Sequence, residues 1–339
     1  MSAASIEIGA MYMGGEGITV KDFARAAEAA GFDSVWTGDH LAHYVDGVAS
    51  LGIVAGCTER VTIGTNVLVA PFRPAPVVAK ALLTTAHSAR RRVVMGIGPG
   101  GDVPVELAMA GADPATRGRY TDEALDVIVG LWSGRPFSYA GRWNNFDEVV
   151  MEPVAGPRPD VWIGGRSPAA LRRAVRRGRG YNPYLVSPAQ VAERYAALRG
   201  VARDERVDVD DGTFDFAATT FYVPGGDADE AFRHGFERVG FRGVSARHFR
   251  SCYLLGDAAD LRRGIEEYLA VGVRHLVVGC APVATGVDPR TSSSTAANGS
   301  RNASSWRGAP GAQPTTRWRT PTARYSSMPR RRSTTSPRR

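Results

Sequence analysis

Val161-Trp162-Ile163-Gly164-Gly165-Arg166-Ser167-Pro168-Ala169-Ala170-Leu171-Arg172 is the stretch that decides the architecture. An apolar run too short for a helix meets two glycines, and a Ser-Pro pair then opens a helix-forming segment. This predicts strand, tight turn and helix. Ser167 is placed to cap the helix and Pro168 to take its first position. Gly164 and Gly165 let a ligand approach the backbone closely. The amides at the helix start and the Arg166 guanidinium favour an anion there, so the expected group is a phosphate. The plainer alternative is an ordinary strand-to-helix turn, since short glycine motifs recur without ligands.

The same alternation extends in both directions. Upstream, strands are expected at Ile6 to Met11, Ser34 to Thr37, Val61 to Val69 and Val93 to Ile97. Helices are expected after Thr19 with Val20, Phe23, Ala24 and Ala27 on one face, over Val45 to Cys57, from Pro76 to about His87, and from Thr121 to Trp132. Phe137 to Phe146 alternates about an Ala140-Gly141 turn, as an inserted hairpin would. Downstream, a sixth strand is expected near Tyr181 to Val186, followed by a helix capped by Ser187-Pro188-Ala189-Gln190. Thr213 to Val223 reads as strand seven. Leu261, Ile265, Tyr268 and Leu269 mark a helix before strand eight at His275 to Gly279. Repeated strand–helix units imply a parallel sheet, and eight of them suggest a closed (β/α)8 TIM barrel, with a doubly wound open sheet as the alternative. Chemistry then belongs at the carboxyl ends of the strands, where Asp39-His40, Asn66 to Phe72, Gly98 to Gly101 and Gly164 to Ser167 fall.

The formal charge of +8 over 339 residues is unevenly spread. From Arg290 to Arg339 there are eleven arginines and no acid, so residues 1–289 carry a net −3. That final stretch of Ser, Thr, Arg, Pro and Ala lacks the aliphatic side chains needed for a core. The expected organisation is therefore a barrel domain over 1–285 and a disordered basic tail over 286–339. With few interleaved aromatics, the tail is not expected to recognise specific nucleic acid. Cys57, Cys252 and Cys280 are widely spaced, which argues against a disulfide framework and a cysteine zinc site. His43, His87, His234, His248 and His275 show no ligand spacing, so no metal is expected. No signal peptide or membrane-length apolar run is visible, and a cytoplasmic protein is expected.

Gly31-Phe32-Asp33-Ser34-Val35-Trp36 leading to Gly38-Asp39-His40, then Glu59-Arg60-Val61-Thr62-Ile63-Gly64-Thr65-Asn66-Val67-Leu68, then Arg117-Gly118-Arg119-Tyr120-Thr121-Asp122-Glu123-Ala124-Leu125, and finally the 162–168 turn resemble the bacterial luciferase-like flavin and deazaflavin oxidoreductases. The resemblance covers roughly residues 6 to 282. Gly96-Ile97-Gly98-Pro99-Gly100-Gly101 and the Asp39-His40 pair look most like the branch that uses coenzyme F420. That branch includes methylenetetrahydromethanopterin reductase and F420-dependent dehydrogenases of sugar phosphates and alcohols.

The resemblance implies a deazaflavin at the carboxyl mouth of the barrel. Its ring would rest on a strand-three bulge with a non-prolyl cis peptide at Asn66–Val67, and its phosphodiester tail on the Gly164-Gly165-Arg166-Ser167 turn. Gly98, Pro99, Gly100 and Asp39 complete the implied cofactor contacts. His40 is the implied catalytic residue, taking or giving a proton while a hydride moves between F420 and a small organic substrate, and Asp39 is the candidate to orient its ring. An FMN-dependent monooxygenase using reduced flavin and O2, and a non-catalytic barrel subunit, are the alternatives. A homodimer is a further implication.

Departures from the family pattern carry expectations too. Sugar-phosphate dehydrogenases place a glutamate where Gly101 stands, with Asp102 adjacent, which disfavours that substrate. Arg90-Arg91-Arg92 is expected as a solvated turn, and Arg177 to Tyr181 as a change at the barrel mouth. The loss of the usual closing helix after Pro282 would expose apolar surface on strands one and eight.

Overall fold

The computed structural model describes residues 6–14, 18–224, 227–233 and 245–280. In chain order the elements are β1 (Glu7–Tyr12), α1 (Val20–Ala29), β2 (Ser34–Thr37), α2 (Gly47–Cys57), β3 (Thr62–Val69), a 3-10 turn at Ala70–Phe72, α3 (Ala75–Ala89), β4 (Val93–Gly98), α4 (Pro104–Met109) and α5 (Arg117–Leu131). Next come the hairpin strands β5 (Phe137–Ala140) and β6 (Asn145–Val149), β7 (Asp160–Gly164), α6 (Pro168–Arg177), β8 (Gly180–Asn182) and α7 (Pro188–Glu205). The last are β9 (Asp215–Pro224), α8 (Ala228–Phe232), α9 (Ala246–Cys252), β10 (Leu254–Gly256), α10 (Ala258–Ala270) and β11 (His275–Cys280).

The strands are ordered β10-β9-β11-β1-β2-β3-β4-β7-β8, and β8 also pairs with β9. With β10 set aside as an appendage on β9, the others close into a parallel barrel, the expected TIM architecture. The hairpin β5–β6 stands outside the barrel. Glu123 of α5 holds its turn, accepting from the backbone amides of Arg142, Trp143 and Asn144.

Two tryptophans fill the lower barrel. Trp36 and Trp162 are fully buried and stack at 4.7 Å. Glycines on the neighbouring strands make room for them: a Cβ at Gly64 would lie 2.4 Å from Trp36 Cζ3, and one at Gly180 2.4 Å from Trp162 Cδ1. Each such side chain stabilises by roughly 2–3 kcal/mol when taken from water. Trp36 and Trp162 therefore act in packing, and Trp132 is likewise buried, its Nε1 donating to Ala79 O at 2.9 Å.

The amino ends of the strands are closed by polar contacts. His275 Nδ1 meets Glu7 at 2.9 Å, its Nε2 lies 2.7 Å from Ser34 Oγ, and Trp36 Nε1 donates to the same oxygen at 2.7 Å. The Ser–His–Glu spacing is that of a hydrolase triad, but Ser34 is fully buried and held by the indole, so the string is a brace. Arg92 pairs with Asp160 at 3.0 Å and with Asp215, and Asp215 also accepts Trp162 Nε1–H at 2.9 Å.

Several expectations need correction. Only Arg90 of the arginine run is exposed; Arg91 is half-buried and bonds Thr58 at 2.6 Å, and Arg92 sits in the closing network. Arg177 to Tyr181 leads into the amino end of β8, away from the mouth, with Arg177 paired to Asp126. Helix α2 starts at Gly47, two residues after the expected Val45, because Asp46 caps it through Ala49 N. Strand β8 stops at Asn182, since Pro183 has no N–H for the ladder and Leu185 adopts φ +53°. The basic tail, the closing-helix question and His234 lie outside the described residues.

Among the described residues no helix is long and apolar enough to cross a membrane. No cluster of His, Cys, Asp and Glu among them is placed to hold a metal ion.

Candidate active site

A cavity of ≈ 400 Å3 opens at the carboxyl ends of the strands. Its lining brings together Asp39, His40, Asn66, Val67, Gly98, Pro99, Gly100, Gly164, Gly165, Arg166 and Ser167, all the candidates drawn from the sequence. They arrive from the ends of β2, β3, β4 and β7, as a parallel barrel requires.

The strand β3 register slips between Thr65 and Leu68, and the Asn66–Val67 peptide is cis, where the family resemblance placed it. Gly98 and Gly164 flank the Val67 side chain: Cβ atoms there would lie 3.2 and 2.9 Å from its methyls. Asn66 is fixed by a ring of hydrogen bonds. Its Nδ2 donates to Thr219 Oγ1 at 2.8 Å, Thr219 donates to Asn182 Oδ1 at 3.0 Å, and Asn182 Nδ2 donates to Asn66 Oδ1 at 3.0 Å. All three side chains are buried, and the closed circuit leaves no member of it unsatisfied.

His40 is held by Glu106. Its Nδ1 lies 2.9 Å from Glu106 Oε2, while Oε1 accepts the Leu41 and Ala42 amides at 3.0 Å each. A carboxylate only accepts, so Nδ1 carries the proton and Nε2 is left as the acceptor nitrogen. Burial pushes the Glu106 carboxyl up, but the His40 bond and the Ala42 and Leu41 amides outweigh it and hold it below its ordinary 4.5. Tyr44 packs edge-on to the imidazole at 4.8 Å.

Asp39 does not orient the His40 ring, contrary to expectation. Its carboxylate is taken by Arg73, Gly47 N and Val69 N. Glu106, absent from the sequence-derived set, does that work. Its signals are Pro104 at the first position of α4 and an acid in the first turn, but six residues are too short to show helical periodicity.

The strand, tight turn and helix over 161–172 form as expected. Ser167 Oγ accepts Ala170 N at 3.3 Å, Pro168 follows, and Gly165 takes φ +112°, a conformation open to glycine. Arg166 lies over the Tyr184 ring at 5.3 Å and 3.9 Å from Asp102, whose other oxygen accepts the Tyr184 hydroxyl. Burial, then the Asp102 charge, push the Tyr184 phenol well above its usual value. Arg117 and Arg173 line the same cavity. Arg173 is committed to Asp122 at 2.8 Å and Arg166 faces Asp102, which leaves the helix start and Arg117 as the groups that favour an anionic ligand.

Comparisons with known proteins agree with this architecture. Over 169 residues the chain is 34% identical to the F420-dependent glucose-6-phosphate dehydrogenase of Microbacterium testaceum, covering 47% of this chain and 50% of that one. The chain thus spans about half the length of the curated relatives it matches. An F420-dependent secondary alcohol dehydrogenase solved with an F420–acetone adduct superposes with a TM-score of 0.72 at 21% identity, over 82% of this chain and 94% of the other. The coenzyme F420-dependent tetrahydromethanopterin reductase of Methanopyrus kandleri gives 0.64 at 20% identity, over 81% and 93%. At these identities the two structures speak for the fold alone. Residues 2–238 match the family model of the luciferase-like monooxygenases, and the chain belongs to that family.

Proposed function

We propose that the protein is an F420-dependent oxidoreductase that moves a hydride between the deazaflavin and a small organic substrate. The observation that carries this is the His40–Glu106 pair lining one cavity with the Asn66–Val67 bulge and the Arg166-Ser167 turn. The residues fit a flat ring with an anionic tail. Glycines at 98 and 164 leave Val67 standing clear of neighbouring side chains, and the turn offers backbone amides beside cationic groups. Val67, Gly98, Pro99 and Gly100 would hold the ring, and Gly164, Gly165, Arg166 and Ser167 the phosphate.

Bound there, the coenzyme supplies hydride exchange at a ring carbon. The chain supplies the proton handling. Glu106 keeps the proton on Nδ1 of His40, so Nε2 takes a proton from a substrate hydroxyl or returns one to a carbonyl. Curated relatives with the same cofactor in their names support this choice over FMN.

The test is a parallel titration with F420 and FMN, oxidised and reduced, followed by absorbance and fluorescence with oxygen uptake monitored. Binding of F420 without oxygen uptake is expected, and His40→Ala should bind it yet lose about 10²–10⁴-fold in turnover. Preference for reduced FMN with oxygen consumption would replace this assignment by a monooxygenase. Binding of neither would leave a non-catalytic barrel.

A further inference from the structure

One guanidinium grips both ends of the loop that carries His40. Arg73, just past the 3-10 turn after β3, donates to Asp39 through both terminal nitrogens at 2.8 and 2.7 Å, and to Asp46 at 2.5 Å. Asp39 is the residue before His40, and Asp46 caps α2 where the loop ends. Inside the loop His40 N donates to Val45 O at 3.0 Å, and Glu106 holds the amides of Leu41 and Ala42.

A carboxylate offers about four lone-pair sites. Those of Asp39 are filled: Oδ1 by Arg73 and Gly47 N, and Oδ2 by Arg73 and Val69 N. With its side chain fully buried, Asp39 has no acceptor left for a ligand, although it lines the cavity. Whatever the Asp39–Arg73 pair contributes therefore reaches the chemistry through its neighbour.

We propose that Arg73 is a positioning residue for His40, clamping Asp39 and Asp46 so that the imidazole stays against Glu106 at the cavity. This rests on the assignment of proton transfer to His40 above. The planar fork is essential, because only a guanidinium spans Asp39 in bidentate fashion and Asp46 as well; a lysine brings the charge without that geometry. An ordinary buried ion pair would stabilise the barrel without affecting the ring.

The distinguishing measurement uses protein labelled with 15N-histidine, with no coenzyme added. Long-range 1H–15N spectra near neutral pH are recorded for the parent, Arg73→Lys and Arg73→Met, and His40→Ala assigns the signal. The parent should show a single tautomer with the proton on Nδ1. Both Arg73 variants should move toward the averaged shifts of a free imidazole. Turnover should then fall about 10–10²-fold with KM within about threefold, as loss of orientation predicts. Parental His40 shifts in both variants overturn the proposal. So does failure of Arg73→Lys to fold, because a clamp on one loop leaves the barrel standing. Parental turnover in His40→Ala would instead sink the catalytic assignment, while the spectra would still decide the role of Arg73.

Discussion

Replacing Glu106 by Gln keeps the side-chain shape and removes its charge. The glutamine oxygen can still accept the Leu41 and Ala42 amides at the Oε1 position, which puts the NH2 group where Oε2 meets His40 Nδ1 at 2.9 Å. Two donors then face each other. The imidazole resolves this by moving its proton to Nε2, the wrong tautomer for accepting a proton there. A hydrogen bond to a charged partner contributes about 1.5–3 kcal/mol net. At about 1.4 kcal/mol per factor of ten, turnover should drop roughly 10–10²-fold while cofactor affinity holds.

Stability offers a second readout with a defined sign. The folded Glu106 carboxyl lies below 4.5, so its stabilising contribution is present above that value and is lost as pH falls through the folded pKa. In urea unfolding, the parent should exceed Glu106→Gln near neutral pH, and the gap should close in acid. Equal turnover in the two proteins, or a stability gap that does not change with pH, would refute the reasoning.

Two further substitutions test the scaffold. Gly64→Ala puts a methyl 2.4 Å from Trp36 Cζ3 and 2.9 Å from Val94 O, so overpacking should cost about 1–3 kcal/mol. Calorimetry should find Tm lower by roughly 2–4 °C per kcal/mol, and an unchanged Tm would mean the tryptophan stack is looser than described. Ser167→Ala removes the cap on Ala170 N, which should cost about 1 kcal/mol in chemical denaturation. Affinity for inorganic phosphate should weaken with it; phosphate affinity equal to the parent's would detach this turn from anion binding.

Local chemistry made much of the architecture legible in the sequence. Ser167-Pro168 and Ser187-Pro188-Ala189-Gln190 announce their helices through caps that the structure contains, and Asn66–Val67 and His40 reach the cavity their strand ends predicted. What stayed hidden was long-range or short. Arg73 lies 34 residues from Asp39 and Glu106 66 from His40, and no local pattern announces such pairs. Arg92 reads as a turn residue until Asp215, 123 positions on, is brought beside it. The end of β8 is not legible because the side chains from Tyr181 to Val186 are apolar apart from Asn182, while the missing amide of Pro183 and the backbone at Leu185 decide where pairing stops.

The seam between β8 and β9 is the shortest closure in the cylinder. Two register pairs, Gly180 with Asp215 and Tyr181 with Phe216, hold it, against six between β11 and β9. Past them the backbone rejoins when Thr219 N donates to Pro183 O at 2.9 Å, beside the circuit of Asn66, Asn182 and Thr219. Thr219 thus seals the cylinder through its backbone and lines the cavity through its side chain. A change in this circuit also loosens the stave joint, so the shape of the cavity and the integrity of the closed form vary together at Asn66, Asn182 and Thr219.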